Sequence, residues 1–107
     1  MKRGDLVTIA LQGDLGKPRP ALIVQSELFS EHPSVVILPV TSELRDTPLF
    51  RIMIEPNAEN GLKVSSQIMV DKPQSVPAEK IGQAFGQVEQ GTMVEANRAL
   101  AVFLGIA

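Results

Sequence analysis

The sequence predicts a small, mainly β domain in which short strands form a curled sheet or barrel that ends in one helix. Five short apolar segments are separated by loops rich in glycine, proline and polar residues. The second and third segments are apolar throughout, and the final segment has helical spacing. An antiparallel sheet usually has one polar face, so we expect the helix or another subunit to cover the outer face.

The first half of the chain predicts three strands, over residues 6–11, 19–25 and 34–40. Residues 12–18 hold two glycines, an aspartate and a proline, which indicates a loop. Residues 26–32 are polar and long enough for one helical turn. Pro39 indicates that the third strand lies at an edge or ends there.

The second half predicts two more strands. Residues 50–55 alternate apolar and polar, residues 57–61 form a turn, and residues 62–70 alternate again, with Val64 and Ile68 on the apolar face. Gln67 and Asp71 lie on the polar face of that strand. Pro73 and Pro77 bracket a predicted turn, and residues 78–88 fit neither helix nor strand clearly.

The last segment predicts a helix that packs on the sheet. Thr92 and Glu95 have the spacing of a capping box, which places the helix start at Thr92. Four apolar residues then recur at helical spacing: Met93, Ala96, Leu100 and Phe103. Gly105 is expected to end the helix.

Composition limits the function classes. The 107 residues are enough for one domain, residues 1–107, and the absence of cysteine excludes disulfides and thiolate chemistry. The single histidine, His32, argues against a histidine-rich metal site, and we assign it no role. The N-terminus lacks the apolar stretch of a secretory signal, and no apolar run approaches a membrane span, so we expect a cytoplasmic protein with no membrane partner.

Arg19 is the residue that points most directly to function. It lies between two prolines at the mouth of the second strand, an arrangement that presents a cation to a phosphate. Four cations occur in the first 19 residues: Lys2, Arg3, Lys17 and Arg19. They form either one basic patch or a scatter of solvated charges, and the formal net charge of -2 argues against general nucleic-acid binding.

Four motifs together resemble the MazF/PemK/Kid toxins of type II toxin–antitoxin modules. Arg3-Gly4-Asp5 opens the first strand, and Gly16-Lys17-Pro18-Arg19-Pro20 leads into the second. The third strand ends in Thr41-Ser42, and Gln67-Ile68-Met69-Val70-Asp71 follows in the fifth. The resemblance spans the chain from Arg3 to the final helix.

The resemblance implies an SH3-like or CcdB-like barrel of about five to seven strands with a C-terminal helix. It also implies an endoribonuclease that cleaves single-stranded RNA at short sequences without a metal or other cofactor. In that family the 2′-hydroxyl attacks the adjacent phosphate, which gives a 2′,3′-cyclic phosphate and a 5′-hydroxyl. Family members are homodimers that a cognate antitoxin holds inactive, usually through an acidic, partly disordered tail.

The resemblance also assigns the site. Arg19 and Thr41 match the family's catalytic arginine and threonine. The expected RNA-binding residues are Asp14, Lys17, Ser42, Gln67 and Asp71. Without the resemblance, the sequence favours a surface arginine at position 19, either snorkelling or paired with Asp14. It likewise favours Thr41 as a residue that hydrogen-bonds the backbone of its own loop.

Two departures from the family keep other functions open. Some members carry an arginine where this chain has Met69, and the chain has no Trp or Tyr to stack on bases, so that only Phe29 and Phe50 are placed to help. The Met69 departure and the net negative charge keep an inactive, antitoxin-binding relative as one alternative. Another is a gyrase poison like CcdB, a family whose helix often closes in Trp-Gly-Ile where this chain has Leu104-Gly105-Ile106-Ala107.

Overall fold

Seven antiparallel strands and a C-terminal helix form the fold, which confirms the predicted class. The structure is a computed structural model that describes residues 1–10 and 17–107. The strands are β1 (Asp5–Ile9), β2 (Arg19–Ile23), β3 (Ser34–Thr41), β4 (Arg51–Ile54), β5 (Ser66–Met69), β6 (Gln74–Pro77) and β7 (Ile81–Gln87). The helix α1 spans Gln90–Leu104, and single 3-10 turns occupy Glu27–Phe29 and Ala78–Lys80. Within these described residues, no helix is long and apolar enough to cross a bilayer.

Strand β3 is the centre of the sheet. The strand order is β4-β5-β3-β2-β1-β7, and β6 also pairs with β3. One edge of β3 pairs with β2, whereas its other edge pairs first with β6, over residues 34–37, and then with β5, at residues 40 and 41. The sheet therefore divides at β3 into two wings. The first wing is formed by β2, β1 and β7 and the second by β5 and β4, and buried side chains of both wings meet in one cluster.

Pro39 lies inside this central strand, not at an edge or an end as the sequence predicted. The Val36 carbonyl accepts a hydrogen bond from the Val24 amide, so even-numbered residues of β3 direct their backbone groups toward β2. Pro39 therefore points the opposite way, between Ile37, which pairs with β6, and Val40, which pairs with β5. Its missing N–H falls where β3 changes partners, so no ladder bond is lost.

The first buried face of the sheet is covered by the second wing and the helix. Leu6, Leu22 and Leu38 lie on this face and pack with buried side chains of β4 and β5. Ala96 of α1 is also buried there, with Met93, Ala99 and Leu100 packed beside it. The prediction that the helix packs on the sheet is confirmed, although Phe103 at its end is about half exposed.

The second face is also buried within the single chain. Ile23 and Ile37 alternate with the residues of the first face and are almost fully buried. Val76 of β6 completes this cluster, and Ala78 and Ile81 pack against it. The expectation that the helix or another subunit covers one apolar face is therefore met by α1 at the first cluster, whereas the second cluster is buried by strand residues together with Ala78.

Three predicted segments differ in the structure. The region between Pro73 and Pro77 forms β6 and not a turn, because Val76 pairs opposite Val35 and both are buried. Residues 78–88 resolve into a 3-10 turn and β7. The predicted strand over 62–70 is shorter, since β5 begins at Ser66 and Val64 is exposed. The predicted end of the first strand, at residue 11, lies outside the described residues.

The helix begins earlier than the capping box indicated. Glu89 is the N-cap and makes no side-chain cap bond, so Thr92 lies inside the first turn and that prediction is wrong. The buried Val88, whose amide donates to the Gly4 carbonyl, fixes the chain just before the helix starts. Gly105 ends the helix in the left-handed conformation, with φ of 77°, as expected.

A loop covers the outer edge of β7 near its end. The Gln87 amide donates to the Glu59 carbonyl, and a Cβ placed on Gly86 would overlap the backbone of Asn60. We expect Gly86→Ala to lower the free energy of unfolding by about 1–3 kcal/mol, because the added methyl must displace backbone.

Gly91→Ala is the matched control, since a Cβ on Gly91 of α1 meets no other atom within 4 Å. It should leave stability unchanged or raise it by up to about 1 kcal/mol. Urea unfolding of both variants checks this, and equal stability of the two would contradict the close packing of the loop on β7.

Candidate functional site

A cavity of about 610 Å³ opens between the two wings of the sheet. Its walls come from the ends of β1 and β2, the end of β3, the segment ahead of β5, and residues on either side of the β5–β6 turn. The lining residues with polar or charged side chains are Arg19, Thr41, Ser42, Glu43, Lys63, Ser66, Lys72 and Gln74. The cavity therefore brings together three of the residues predicted from the sequence, Arg19, Thr41 and Ser42.

The register of the sheet places Arg19 and Thr41 in one row. Ala21 pairs with Pro39, and continuing this antiparallel register by two residues puts Arg19 opposite Thr41. Arg19 also pairs with Ile9 on its other side, and Thr41 pairs with Gln67. Residues in one row of an antiparallel sheet project from the same face, so the two side chains reach the same cavity wall.

The Thr41 hydroxyl has a defined orientation. Its Oγ1 accepts a hydrogen bond from the Glu43 amide at 3.0 Å. A hydroxyl has one proton to donate and two lone pairs. Because Oγ1 acts only as an acceptor among the hydrogen bonds of the described chain, its proton can be donated to a ligand in the cavity.

The cavity concentrates positive charge. Arg19, Lys63 and Lys72 line it, against the single carboxylate of Glu43. Arg19 is exposed, and its guanidinium pairs with no acidic side chain in residues 1–10 and 17–107. The chain as a whole carries a formal charge of -2, so the attraction for an anion is local to this cavity.

The four N-terminal cations do not form one patch. Arg3 lies at the opposite end of the β1–β2 pair, where its guanidinium donates to the Val24 carbonyl and to Asn97 of α1. Arg3 therefore holds the helix to the sheet, and its neighbour Lys2 is far from the cavity. Lys17 is exposed two residues before Arg19 but does not line the cavity.

Gln67 lies in the same row as Thr41 but is buried, with only 6% of its surface exposed. Its Oε1 accepts from the Arg45 amide at 3.0 Å and from Arg51 Nη1 at 2.9 Å, while its Nε2 donates to the Arg45 carbonyl at 2.8 Å. At Gln67, the face of β5 that was predicted to be polar is therefore buried, and the side-chain amide forms hydrogen bonds within the protein.

Asp71 lies in the turn after β5, outside the cavity lining. One carboxylate oxygen is 3.8 Å from Lys72 Nζ, and the other is buried without a hydrogen-bond partner in the described structure. Asp14, the remaining predicted residue, lies outside the described residues. No group of three or more metal-ligating side chains occurs within residues 1–10 and 17–107.

Sequence reasoning missed several lining residues and misplaced the aromatics. Lys63 lies in the segment ahead of β5, Lys72 lies between β5 and β6, and Gln74 begins β6. Nothing in their local pattern distinguishes them from ordinary surface residues. Phe50 packs against the core, and Phe29 lies in the 3-10 turn after β2, so neither lines the cavity. The expectation that they help to hold bases is not supported by this geometry.

The seven-stranded antiparallel sheet and its C-terminal helix define a small, mainly β domain whose cavity is lined by an arginine, two lysines and a threonine hydroxyl. The chain belongs to the PemK-like, MazF-like toxins of type II toxin–antitoxin systems, since the model of that family matches residues 2–104. The resemblance seen in the sequence is thereby confirmed.

Relatives of known name agree with this assignment. The chain is 44% identical over 108 residues to a probable endoribonuclease MazF from Mycolicibacterium smegmatis, a match that covers 100% of this chain and 99% of the relative. A mycobacterial endoribonuclease solved in complex with its cognate antitoxin superposes with a TM-score of 0.83 at 25% identity, covering 100% of this chain and 97% of the other. The fold is also that of a MazE–MazF complex from Deinococcus radiodurans, with a TM-score of 0.77, 19% identity and coverage of 100% and 98%.

The charge of the cavity can be tested by measuring the affinity of the protein for a single-stranded DNA oligonucleotide. Such a strand offers phosphates to the cavity but has no 2′-hydroxyl. We expect Lys72→Met to reduce the slope of log affinity against log salt by about 0.7, the loss of one phosphate contact. Lys2→Met, at the other end of the β1–β2 pair, is the control and should leave the slope unchanged. Equal slopes for all three proteins would show that Lys72 does not face the bound strand.

Proposed function

We propose that this chain is the toxin of a type II toxin–antitoxin module and cleaves single-stranded RNA as an endoribonuclease. The observation that carries the proposal is that Arg19 and Thr41 line the same cavity, together with Lys63 and Lys72. The family assignment and the endoribonuclease name of the Mycolicibacterium relative support it. Messenger RNA in the cytoplasm is the substrate that fits this role.

The proposed reaction uses a nucleophile that the RNA supplies. The 2′-oxygen forms a bond to the adjacent phosphorus while the bond from phosphorus to the 5′-oxygen breaks. The 2′-hydroxyl loses its proton, the leaving 5′-oxygen gains one, and the products are a 2′,3′-cyclic phosphate and a 5′-hydroxyl. The protein must hold the two oxygens in line and stabilise the charge on the phosphorane.

Arg19 is proposed to stabilise that charge. A guanidinium is planar, permanently charged and able to donate to two phosphate oxygens at once. Its exposed position at the start of β2 leaves it accessible to a strand of RNA. Because protein cations provide the neutralisation, we expect cleavage to continue in EDTA.

Thr41 is proposed to donate its hydroxyl proton to a non-bridging phosphate oxygen. The hydrogen bond from the Glu43 amide fixes Oγ1, so the hydroxyl does not need to be ordered when the substrate binds. Arg19 and Thr41 would then hold the phosphate from two neighbouring strands.

Sequence recognition is proposed to rest on hydrogen bonds instead of aromatic stacking. Ser42 and Gln74 line the cavity beside the proposed phosphate position and have groups that can read base edges. Asp14 and Lys17 both precede Arg19 in the sequence, and Lys17 is proposed to contact the RNA backbone. Asp71 is proposed to accept from a base amino group at the rim of the cavity, through the carboxylate oxygen that lies 3.8 Å from Lys72 Nζ.

Two protein partners complete the proposal. A homodimer is supported by apolar side chains that remain exposed at the end of α1 and just after it, namely Val102, Phe103, Leu104 and Ile106. A cognate antitoxin with an acidic tail would compete with RNA for the cationic cavity, and the antitoxin complexes among the structural neighbours support such a partner.

The CcdB-like alternative depends on the same helix end. Leu104 and Ile106 are exposed and Gly105 turns the chain between them, so these residues are accessible to another protein. The family match and the cavity favour the ribonuclease. A gyrase-dependent DNA-cleavage assay separates the two functions. A gyrase poison produces cleaved DNA in this assay, whereas a ribonuclease leaves the DNA intact.

Cleavage of a defined RNA tests the proposed chemistry. We expect Arg19→Met and Thr41→Val each to lower kcat by roughly 100- to 1000-fold, the usual cost of one donor to a developing oxyanion. End-group analysis of the wild-type products should give a 2′,3′-cyclic phosphate and a 5′-hydroxyl in the presence of EDTA.

The matched controls are Arg98→Met and Thr92→Val, which make the same chemical changes on α1, away from the cavity. Both should cleave at the wild-type rate. Intact RNA after incubation with folded wild-type protein would overturn the proposed function and leave the inactive relative as the better description.

Sedimentation tests the proposed dimer. We expect the wild-type protein to sediment as a dimer at micromolar concentration and Phe103→Glu to sediment as a monomer, because the new charge would be buried at the interface. Leu28→Glu alters an apolar residue that is more exposed than Phe103 but lies in the first 3-10 turn, and this variant should stay dimeric. A monomeric wild-type protein would contradict the proposed interface.

A further inference from the structure

The guanidinium of Arg51 connects two walls of the cavity without lining it. Arg51 is the first residue of β4 and lies opposite Met69 of β5. Its Nη1 donates to the Glu43 carbonyl at 2.8 Å and to Gln67 Oε1 at 2.9 Å, and its Nη2 lies 3.6 Å from Met69 Sδ. Glu43 and Met69 are cavity residues, so one side chain contacts both walls from behind.

Gln67 completes this contact by pairing with the backbone of Arg45. Its amide accepts from the Arg45 N–H and donates to the Arg45 carbonyl, which are the two bonds that a neighbouring strand would make. Gln67 is buried, so these bonds are shielded from water. The loop after β3 therefore has a fixed partner even though it is not part of the sheet.

The contacts reach the Thr41 hydroxyl through Glu43. The Glu43 carbonyl accepts from Arg51, while the Glu43 amide donates to Thr41 Oγ1 at 3.0 Å. Any movement of Glu43 backbone away from Arg51 would therefore change the hydrogen bond that orients the hydroxyl. The order of contacts is Arg51, Glu43, Thr41.

We infer that Arg51 and Gln67 are positioning residues that hold the loop after β3 so that Thr41 and Ser42 face the phosphate. The inference rests on the proposed function, which it deepens by naming what supports the proposed catalytic hydroxyl. It requires the fork of the guanidinium, because one nitrogen bridges the Glu43 carbonyl and Gln67 while the other approaches Met69. An ammonium at the end of a lysine cannot reproduce these three contacts.

The partners of Arg51 identify its role further. All three are uncharged, and neither ion pair seen in residues 1–10 and 17–107 includes Arg51. A guanidinium placed only to form a salt bridge would face a carboxylate. This one is half-buried against a carbonyl, an amide and a thioether, where its donors fix the loop.

Steady-state cleavage kinetics of three variants test the inference. We expect Arg51→Met, Arg51→Lys and Gln67→Met each to lower kcat by about tenfold or more, because small displacements of a positioned group are costly, while KM changes by less than about threefold. The lysine variant should not rescue kcat, since it keeps the charge but not the fork.

Arg45→Met is the matched control. It also removes a guanidinium, but the Arg45 side chain is exposed and pairs only with the Glu43 carboxylate, whereas the loop is held through the Arg45 backbone. This variant should retain the wild-type kcat. Assays are run well below the melting temperature of each variant, which thermal unfolding establishes.

Hydrogen exchange gives a readout that needs no activity. The Arg45 amide donates to Gln67, so it should exchange markedly faster in Gln67→Met than in the wild-type protein, while the Leu22 and Leu38 amides in the core keep their protection. Wild-type cleavage together with unchanged kcat in Arg51→Met and Gln67→Met would overturn the inference. A wild-type protein that cleaves no RNA would instead overturn the proposed function. In that case, an Arg45 amide that exchanges at the same rate in Gln67→Met and in the wild-type protein would overturn the inference that Gln67 holds the loop.

Discussion

The antiparallel register between β2 and β3 is the constraint on which the rest of the structure depends. It is set by buried pairs, Leu22 with Leu38 and Ile23 with Ile37, which alternate between the two packed faces. A slip of one residue would exchange these faces and disrupt both clusters. The same register places Arg19 opposite Thr41, so the packing that stabilises the fold also aligns the two residues proposed to act on the phosphate.

Charge in this protein is organised locally. The chain has a formal net charge of -2, yet its cavity gathers three cations and one carboxylate. Arg3, which the sequence places near Arg19, is instead used to hold α1 against the sheet. With a net negative chain, attraction for a phosphate depends on the local charge of this cavity and not on the charge of the whole protein.

Apolar alternation is a local pattern, and it was sufficient to predict the fold class and the presence of the helix. The proposed catalytic pair came from the resemblance to the toxin family, because an arginine or a threonine at a strand end is common on its own. It could not predict β6, since two prolines mark a turn unless the pairing of Val76 with Val35 is known. The burial of Gln67 was also not predicted, because it depends on a contact between residues that are far apart in the sequence. Its amide is satisfied by the backbone of Arg45, 22 residues away, and no local pattern records that contact. Lys63 and Lys72 join the cavity only because the second wing curls over β3.

The central claim is that Arg19 and Thr41 act together on one phosphate. A double-mutant cycle on RNA cleavage, with Arg19→Met, Thr41→Val and the combined variant, tests it most directly. Residues that act as a unit are strongly non-additive, so the account predicts that the double variant is about as slow as the slower single variant. Rate losses that multiply in the double variant would show that the two residues act independently, which would contradict a shared phosphate across the β2–β3 row.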